Sequence, residues 1–473
     1  METYSLFIGN KIKTTDHRLL VNSPYNGQPV AEVCLAGETE IELAIESALK
    51  AFSVLKHLPA HIKANILSQI SQGVKERAEE LARTMALEAG KPISLAKIEV
   101  ARCIDLFQYA AEEIKRWGGE VVPLDLDKLG ENRMGIYKRF PIGPILSITP
   151  FNFPLNLVAH KVAPALAVGN PVIIRPSSAT PITALILGEI LAQADLPEGS
   201  FSVVPCPTSL AEKMVKDDRI AMFTFTGSPD VGWYLKSIAG RKRVTLELGG
   251  NAALVIDSLR FKDFLLNRGT FGAFYQAGQV CISVQRIFVK EDLYEPFLEG
   301  FLEKVKTIHT GDPMDEKTLV GPLISKEAAD RVETWIKEAL AEGAKLLIGG
   351  KREGNVIYPT VLTNTRPEMK VNAKEIFGPV VTVEKYQTFE AAIAAVNDSV
   401  YGLQAGIFTD DLSQAFYAYN HIDTGGVIIN DVPTYRSDPM PYGGVKQSGQ
   451  GREGIKYAME EMSEGKILAI KYA

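Results

Sequence analysis

The chain has little cysteine, no large excess of either charge and no long apolar run. Four cysteines, Cys34, Cys103, Cys206 and Cys281, are scattered over 473 residues. Their spacing matches neither a disulfide framework nor a zinc site, so reduced thiols are expected. The net charge of −6 is spread without a block of like charges, which argues against nucleic acid or an anionic membrane as the main partner and for small molecules. No stretch approaches the roughly 20 apolar residues that a membrane span needs. The N-terminal METYSLFIGNKIK lacks a basic region followed by a long apolar run, so a cytoplasmic protein is expected. Internal repeats, low-complexity tracts and long linkers are also missing.

What is present is a chain long enough, at 46% hydrophobic residues, to bury large cores in two or three domains. From about residue 40 to residue 117, apolar residues recur every three to four positions, which predicts three long helices, the last two stopped by Gly90 and Gly118. Between residues 141 and 250, short apolar runs such as GPILSITP, PVIIRP, AMFTFTG and RVTLEL alternate with helical segments. Continuous apolar strands separated by helices imply a parallel sheet covered on both faces, an architecture of the dinucleotide-binding type. A second α/β series runs from Ala252 to about Asp431. The segment EVVPLDLDKLGENRMGIYKRFP and the tail EGKILAIKYA read as strands of neither series. They are expected either as arms that extend a sheet in a neighbouring subunit or as local edge strands.

Two segments carry the chemistry. In GQVCISVQR, Cys281 follows glycine and glutamine on a turn between a helix and a strand, where a thiol can meet a ligand. In LELGGN, Glu247 ends an apolar strand and precedes two glycines. A thiolate is strongly nucleophilic near neutral pH, and a carboxylate in an apolar setting can be tuned to activate water. Each residue singly also suits a bland role, a small buried hydrophobe or one half of a structural ion pair. Asn152, between two aromatics before a helix, is either a cap or a donor to a developing oxyanion. A strand runs into Thr226, Gly227 and Ser228, and Pro229 opens the next helix, so free N–H groups there can take a diphosphate. That turn lacks the G-x-G-x-x-G fingerprint and also fits an ordinary tight turn. Arg175 and Ser178 end another strand, where ligands bind in open α/β sheets.

Taken together, the chain resembles the aldehyde dehydrogenase superfamily over essentially its full length. The matching motifs are PFNFPLN, FTGSPDVG, LELGGN, GQVCISVQR, EIFGPV and PYGGVKQSGQGREG. The RPSS and NDVPTYRSDPMPYGG segments place the resemblance nearest to the lactaldehyde, glyceraldehyde and non-phosphorylating glyceraldehyde-3-phosphate dehydrogenase group. The resemblance implies two Rossmann-type α/β lobes with an extended β oligomerisation arm. Residues 1–119 and 138–249 would bind the dinucleotide, 250–449 form the catalytic domain, and 120–137 and 455–473 the arm of a dimer or tetramer. It also implies a mechanism. Cys281 forms a thiohemiacetal whose oxyanion Asn152 and the Cys281 N–H stabilise; hydride passes to the nicotinamide; Glu247 activates the water that hydrolyses the thioester. Glu375 would hold the nicotinamide ribose, with Phe377 beside the ring and Lys161 near the cofactor.

The family commonly has lysine at Arg175, and its NAD-preferring members often have glutamate at Ser178. Arginine with serine would accept a 2′-phosphate that a carboxylate repels, so NADP is the expected cofactor, with NAD as the alternative. No metal is expected. His160 and Arg436 fall in regions that line the substrate entrance, with Arg102 on a nearby helix. Such polar groups favour a short hydroxylated or anionic aldehyde, although Arg102 also suits a solvated helix face and His160 a hydrogen-bonded core position. Two other classes stay open. A CoA-acylating aldehyde dehydrogenase generally lacks the residue seen here as Glu247, and a non-catalytic scaffold would usually have lost one of Cys281, Glu247 and Asn152.

Overall fold

The computed structural model describes residues 1–472. Its two largest sheets follow the two α/β series. The first has eight strands, and its central five are parallel, in the spatial order Arg243–Glu247, Met222–Thr226, Ile145–Ile148, Val172–Arg175, Phe201–Val203. Numbered along the chain, this is the 3-2-1-4-5 order of dinucleotide-binding sheets. The order reverses between Ile145–Ile148 and Met222–Thr226, and the crevice beyond the carboxyl ends of those strands is where such sheets bind ligands. These strands are apolar on both faces because helices cover both. Ile145, Leu146, Ile173, Phe223 and Leu246 are completely buried.

The second sheet has seven strands, all parallel except the edge strand Lys345–Ile348. Its core includes Leu254, Phe274, Ile287, Phe297 and Phe301. After this lobe the chain returns to the first sheet, where Gly449–Gln450 pairs antiparallel with Arg243–Glu247, Glu247 opposite Gly449. Both sides of the central cleft are thereby tied to the strand that carries Glu247.

The structure departs from the sequence reading in two places. The segment expected as one helix through Gly90 is two, Ala60–Glu76 and Ala78–Ala89. Arg77, at φ −105° and ψ 21°, caps both, and its guanidinium holds Glu80 and Glu189. No glycine or proline marks that break. The two segments read as strands of neither series are strands, and they pair with each other: Gly119–Pro123, Arg133–Pro141 and Ser463–Lys471 form one antiparallel three-stranded sheet. Residues 455–461, assigned to the arm, are instead the helix Ile455–Glu461, whose Ile455 and Met459 are buried in the core of the first lobe. Ile455, Ala458 and Met459, all buried, stand at i, i+3 and i+4, which is one face of a helix but both faces of a strand, so only the helix turns all three toward the lobe. Among the described residues, no helix is long and apolar enough to cross a membrane.

Candidate active site

A cavity of about 480 Å³ opens between the two large sheets. Its lining includes Cys281, Glu247, Asn152, Gly227, Ser228, Glu375, Phe377, Arg102 and Arg436. Nine of the expected site residues, drawn from both α/β series, therefore share one space.

Cys281 reaches it from a distorted turn. The helix Lys262–Phe274 runs into Gln276, Ala277 and Gly278, all left-handed at φ 52°, 55° and 66°. For the two residues with side chains this conformation costs roughly 1–3 kcal/mol each and persists only when the surroundings enforce it. Here they do. The Gln276 side chain donates to the Asn152 carbonyl, the Gln276 N–H to Leu319, and the Gln279 amide is held by Pro322 and Ile324. The half-buried Cys281 thiol ends 3.0 Å from the Tyr442 hydroxyl. Burial pushes the thiol up to about 12, the Tyr442 hydrogen bond works against that, and Glu375 and Glu247 add to it.

Glu247 ends its strand fully enclosed, and neither carboxylate oxygen has a protein partner. Unpaired burial pushes this carboxyl well above its usual range, and the negative charge of Glu453 pushes it further. A carboxyl left without partners in a low-dielectric site is an uncommon arrangement, and one that favours proton transfer. The two glycines that follow are steric requirements. A side chain on Gly249 would strike Glu375, and one on Gly250 the carbonyl of Cys281.

Asn152 sits on the loop before the helix Asn156–Val168. Its side-chain amide donates to the Gln279 carbonyl at 2.9 Å, which leaves its second N–H available. What fixes this loop is a buried pair that sequence reasoning missed. Glu99 accepts from the N–H groups of Leu155 and Asn156 at 3.0 and 2.9 Å, capping the helix from a distant element. Lys91, 2.5 Å from Glu99, donates to the Asn152 carbonyl at 3.2 Å and lies 3.7 Å above the Phe153 ring.

On the other side, Ser228 occupies the N-cap of Pro229–Ile238, and its side chain makes no capping bond. Free N–H groups therefore face the cavity, the arrangement that accepts a phosphate. Glu375 accepts from the Gly250 N–H at 2.8 Å, and burial pushes it up to about 7. Phe377, at φ 48°, meets Phe151 edge-on. Arg175 and Ser178 lie at the end of Val172–Arg175, outside the lining of this cavity. Arg175 donates to the Cys206 carbonyl at 3.2 Å and approaches Ser178 at 3.5 Å, while its Nε is buried without a partner.

Lys161 does not line the cavity. It is buried, donating to Thr224 at 2.9 Å and lying 3.2 Å from Glu453, which does line it. His160 is also one layer back, its Nε2 3.1 Å from Asp438 and 3.2 Å from Arg436. Arg102 grips Asp438, with Nη2 2.5 Å from Oδ1. Burial works against the Asp438 carboxylate, but His160 and Arg102 hold it below the usual range. Arg436 reaches Glu453 at 3.0 Å. Burial likewise opposes the Glu453 carboxylate, and Lys161 and Arg436 outweigh it. Both arginines are therefore partly neutralised, yet Arg436 Nε and the Thr434 hydroxyl remain buried with no partner. Buried polar groups are seldom left so, and these two suit an anionic or hydroxylated ligand.

Tyr442 and Glu453 lie within the PYGGVKQSGQGREG segment, so a signal for them was in view without a role attached. Asp438 likewise lies within NDVPTYRSDPMPYGG; Lys91 and Glu99 had no such signal, because their significance comes only from what they touch.

Residues 12–468 match the sequence profile of the Aldehyde dehydrogenase family. The chain is 42% identical to the 3-sulfolactaldehyde dehydrogenase of Priestia aryabhattai over 471 residues, 99% of this chain and 98% of that protein. The crystal structure of aldehyde dehydrogenase 21 from Physcomitrella patens, in complex with the reaction product succinate, matches with a TM-score of 0.98 at 46% identity, over 99% of this chain and 98% of that one. The glyceraldehyde-3-phosphate dehydrogenase GapN of Methanocaldococcus jannaschii, complexed with NADP, matches with a TM-score of 0.92 at 39% identity, over 97% and 100% of the two chains.

Proposed function

The chain belongs to the aldehyde dehydrogenase family, and from that premise we propose that it oxidises a short anionic or hydroxylated aldehyde to the carboxylic acid with NADP. Cys281 attacks the carbonyl carbon as its thiolate, the thiol proton having passed to solvent, and the carbonyl π pair moves onto oxygen. Asn152 Nδ2 and the Cys281 N–H donate to that oxyanion, stabilisation that typically amounts to about 3–4 kcal/mol per donor. A bound nicotinamide supplies what no side chain can, the acceptor for the hydride leaving the substrate carbon. With the acyl group on Cys281, Glu247 takes a proton from water. The water oxygen adds to the acyl carbon, and the C–S bond breaks to release the acid and the thiolate.

The observation that carries this reading is the convergence of Cys281, Asn152 and an unpartnered Glu247 on one cavity. Gly227 and Ser228 would take the cofactor diphosphate, Glu375 a ribose and Phe377 the ring. Arg175 and Ser178 would take a 2′-phosphate, supported by the orphaned Arg175 Nε and by the NADP bound to the GapN relative. Lys161 would act on the site through Glu453. The lobe of the eight-stranded sheet would thus carry the cofactor and the second lobe the nucleophile. For the aldehyde, Arg102 and Arg436 would meet an anionic end, with His160 and Asp438 fixing them. A sulfonated substrate name and a dicarboxylate product among the relatives agree with this. We place the enzyme in the cytoplasm as a homo-oligomer that uses the three-stranded sheet, where Val121, Ile467 and Leu468 are exposed.

The test is reduction of NADP or NAD by purified protein with lactaldehyde, glyceraldehyde, glyceraldehyde 3-phosphate, succinic semialdehyde and propanal. Turnover that favours the anionic members and vanishes in Cys281→Ala is expected. Turnover that survives in Cys281→Ala would overturn the mechanism, and equal rates with propanal would overturn the substrate class.

A further inference from the structure

Within the cavity, one contact takes no part in the steps assigned to Cys281, Asn152 and Glu247. Tyr442 is buried on the bend Pro441–Gly444, with its backbone bonded in both directions to Glu453. Its ring packs with Val280, Ile282 and Leu403, and the Arg436 guanidinium lies 3.8 Å from the ring centroid. Its hydroxyl, 3.0 Å from Cys281 Sγ, makes no other hydrogen bond among the described residues, and no other side chain there is bonded to the thiol. The next residue, Gly443, leaves just enough room for Glu247, since a side chain on it would come within 2.8 Å of Oε1.

The geometry points to Tyr442 as a catalytic residue that donates its phenolic hydrogen to the Cys281 sulfur and thereby eases ionisation of the nucleophile to the thiolate. This rests on Cys281 being the nucleophile. A thiol can donate or accept, but a thiolate can only accept, so ionisation of Cys281 fixes the direction of this bond as O–H to S⁻. A hydrogen bond to an ionised acceptor is roughly twice as strong as a neutral one. The phenol keeps its proton to give. Burial pushes it well above its usual range, and negative charge on Cys281 pushes it further. Arg436 over the ring draws electron density from the phenol and sharpens it as a donor. The other charged or titratable groups around the sulfur do not replace it. Glu247 and Glu375 oppose ionisation of the thiol, Arg436 favours it without a hydrogen bond, and Arg102 and Tyr275 line the same cavity without bonding to the sulfur.

The experiment is alkylation of the full-length enzyme by iodoacetamide between pH 6 and 9, a reaction that forms the S–C bond, releases iodide and passes the thiol proton to solvent. Losing the donor should raise the thiol pKa by about one unit, leaving about tenfold less thiolate. The more basic thiolate recovers about threefold of that through its greater nucleophilicity. Tyr442→Phe should therefore react about threefold more slowly throughout this range. Replacing Tyr442 by 3-fluorotyrosine and 3,5-difluorotyrosine keeps the ring while making the phenol a better donor, and should speed alkylation in that order. A role in packing alone would not produce that ordering, and the fluorinated series also decides the matter should the phenylalanine variant fail to fold. Rates unchanged across the series, or a Tyr442→Phe enzyme that reacts faster, would overturn the proposal. Cys281→Ser is the separate control. If it keeps turnover, the nucleophile assignment fails; if it loses turnover while the Tyr442 series is flat, only the role of Tyr442 fails.

Discussion

Removing one half of the buried Lys91–Glu99 pair should damage the oxyanion site although neither residue lines the cavity. Each side chain is only 1% exposed. Glu99→Ala leaves the Lys91 ammonium without its counter-charge and takes the acceptor from two helix N–H groups, those of Leu155 and Asn156. Breaking a buried pair on one side costs about 3–5 kcal/mol. Replacing both partners by apolar groups of similar size can be nearly neutral. Lys91→Met with Glu99→Leu should still lose the cap, about 1 kcal/mol, and should be less destabilised than either single variant. Catalysis should behave differently. Lys91 holds the Asn152 carbonyl, and a misplacement of about 1 Å at a reacting group can cost about 100-fold in rate. All three variants should therefore slow the formation of reduced cofactor in single-turnover mixing, the double variant included. The assay pairs that rate with the midpoint of the first urea transition for wild type, both singles and the double. Additive midpoints, or singles that unfold within about 0.5 kcal/mol of wild type, would refute the pair's structural role. Unchanged single-turnover rates would refute its control of Asn152.

Three further outcomes are expected. Glu247→Gln should give one equivalent of reduced cofactor in a burst and then turn over about 100- to 10,000-fold more slowly, with the acyl group found on Cys281 by mass spectrometry. Because the Glu247 carboxyl is raised by burial, wild-type thioester hydrolysis should quicken as pH rises and Glu247 gives up its proton, a slope that the glutamine variant lacks. Burial pushes the Glu375 carboxyl up to about 7, and it would bond the ribose as a carboxylate, so cofactor should bind more weakly as pH falls through that range. Glu375→Gln should bind weakly at all pH values by fluorescence titration, and an unaltered pH dependence in that variant would remove the role. Ser178→Glu should shift kcat/KM from NADP toward NAD by at least tenfold, through repulsion of the 2′-phosphate; no shift would move the phosphate site away from Arg175 and Ser178.

The sequence by itself determined those features whose physics is local. Alternating apolar strands and helices specified the central parallel sheets, and the glycines near Glu247 and Cys281 set those two residues on turns. Glu247, Cys281 and Asn152 could be named because each sits in a distinctive run of neighbours. Tertiary structure alone decided the rest. Glu99 is eight residues from Lys91 but 56 from the N–H it caps, and Tyr442 is 161 residues from the thiol it touches. No periodicity records such partners. The break at Arg77 lacks glycine and proline because an arginine bound to Glu80 and Glu189 stabilises it. The helix Ile455–Glu461 reads as part of an arm until the first lobe offers Ile455 and Met459 a core. Lys161 and His160, expected near the cofactor and the substrate entrance, lie one layer behind the cavity lining, because what each residue of that helix faces is decided only once the sheet beside it is present. Motif chemistry is written in neighbours along the chain, whereas orientation, pairing and charge balance depend on groups that folding brings together.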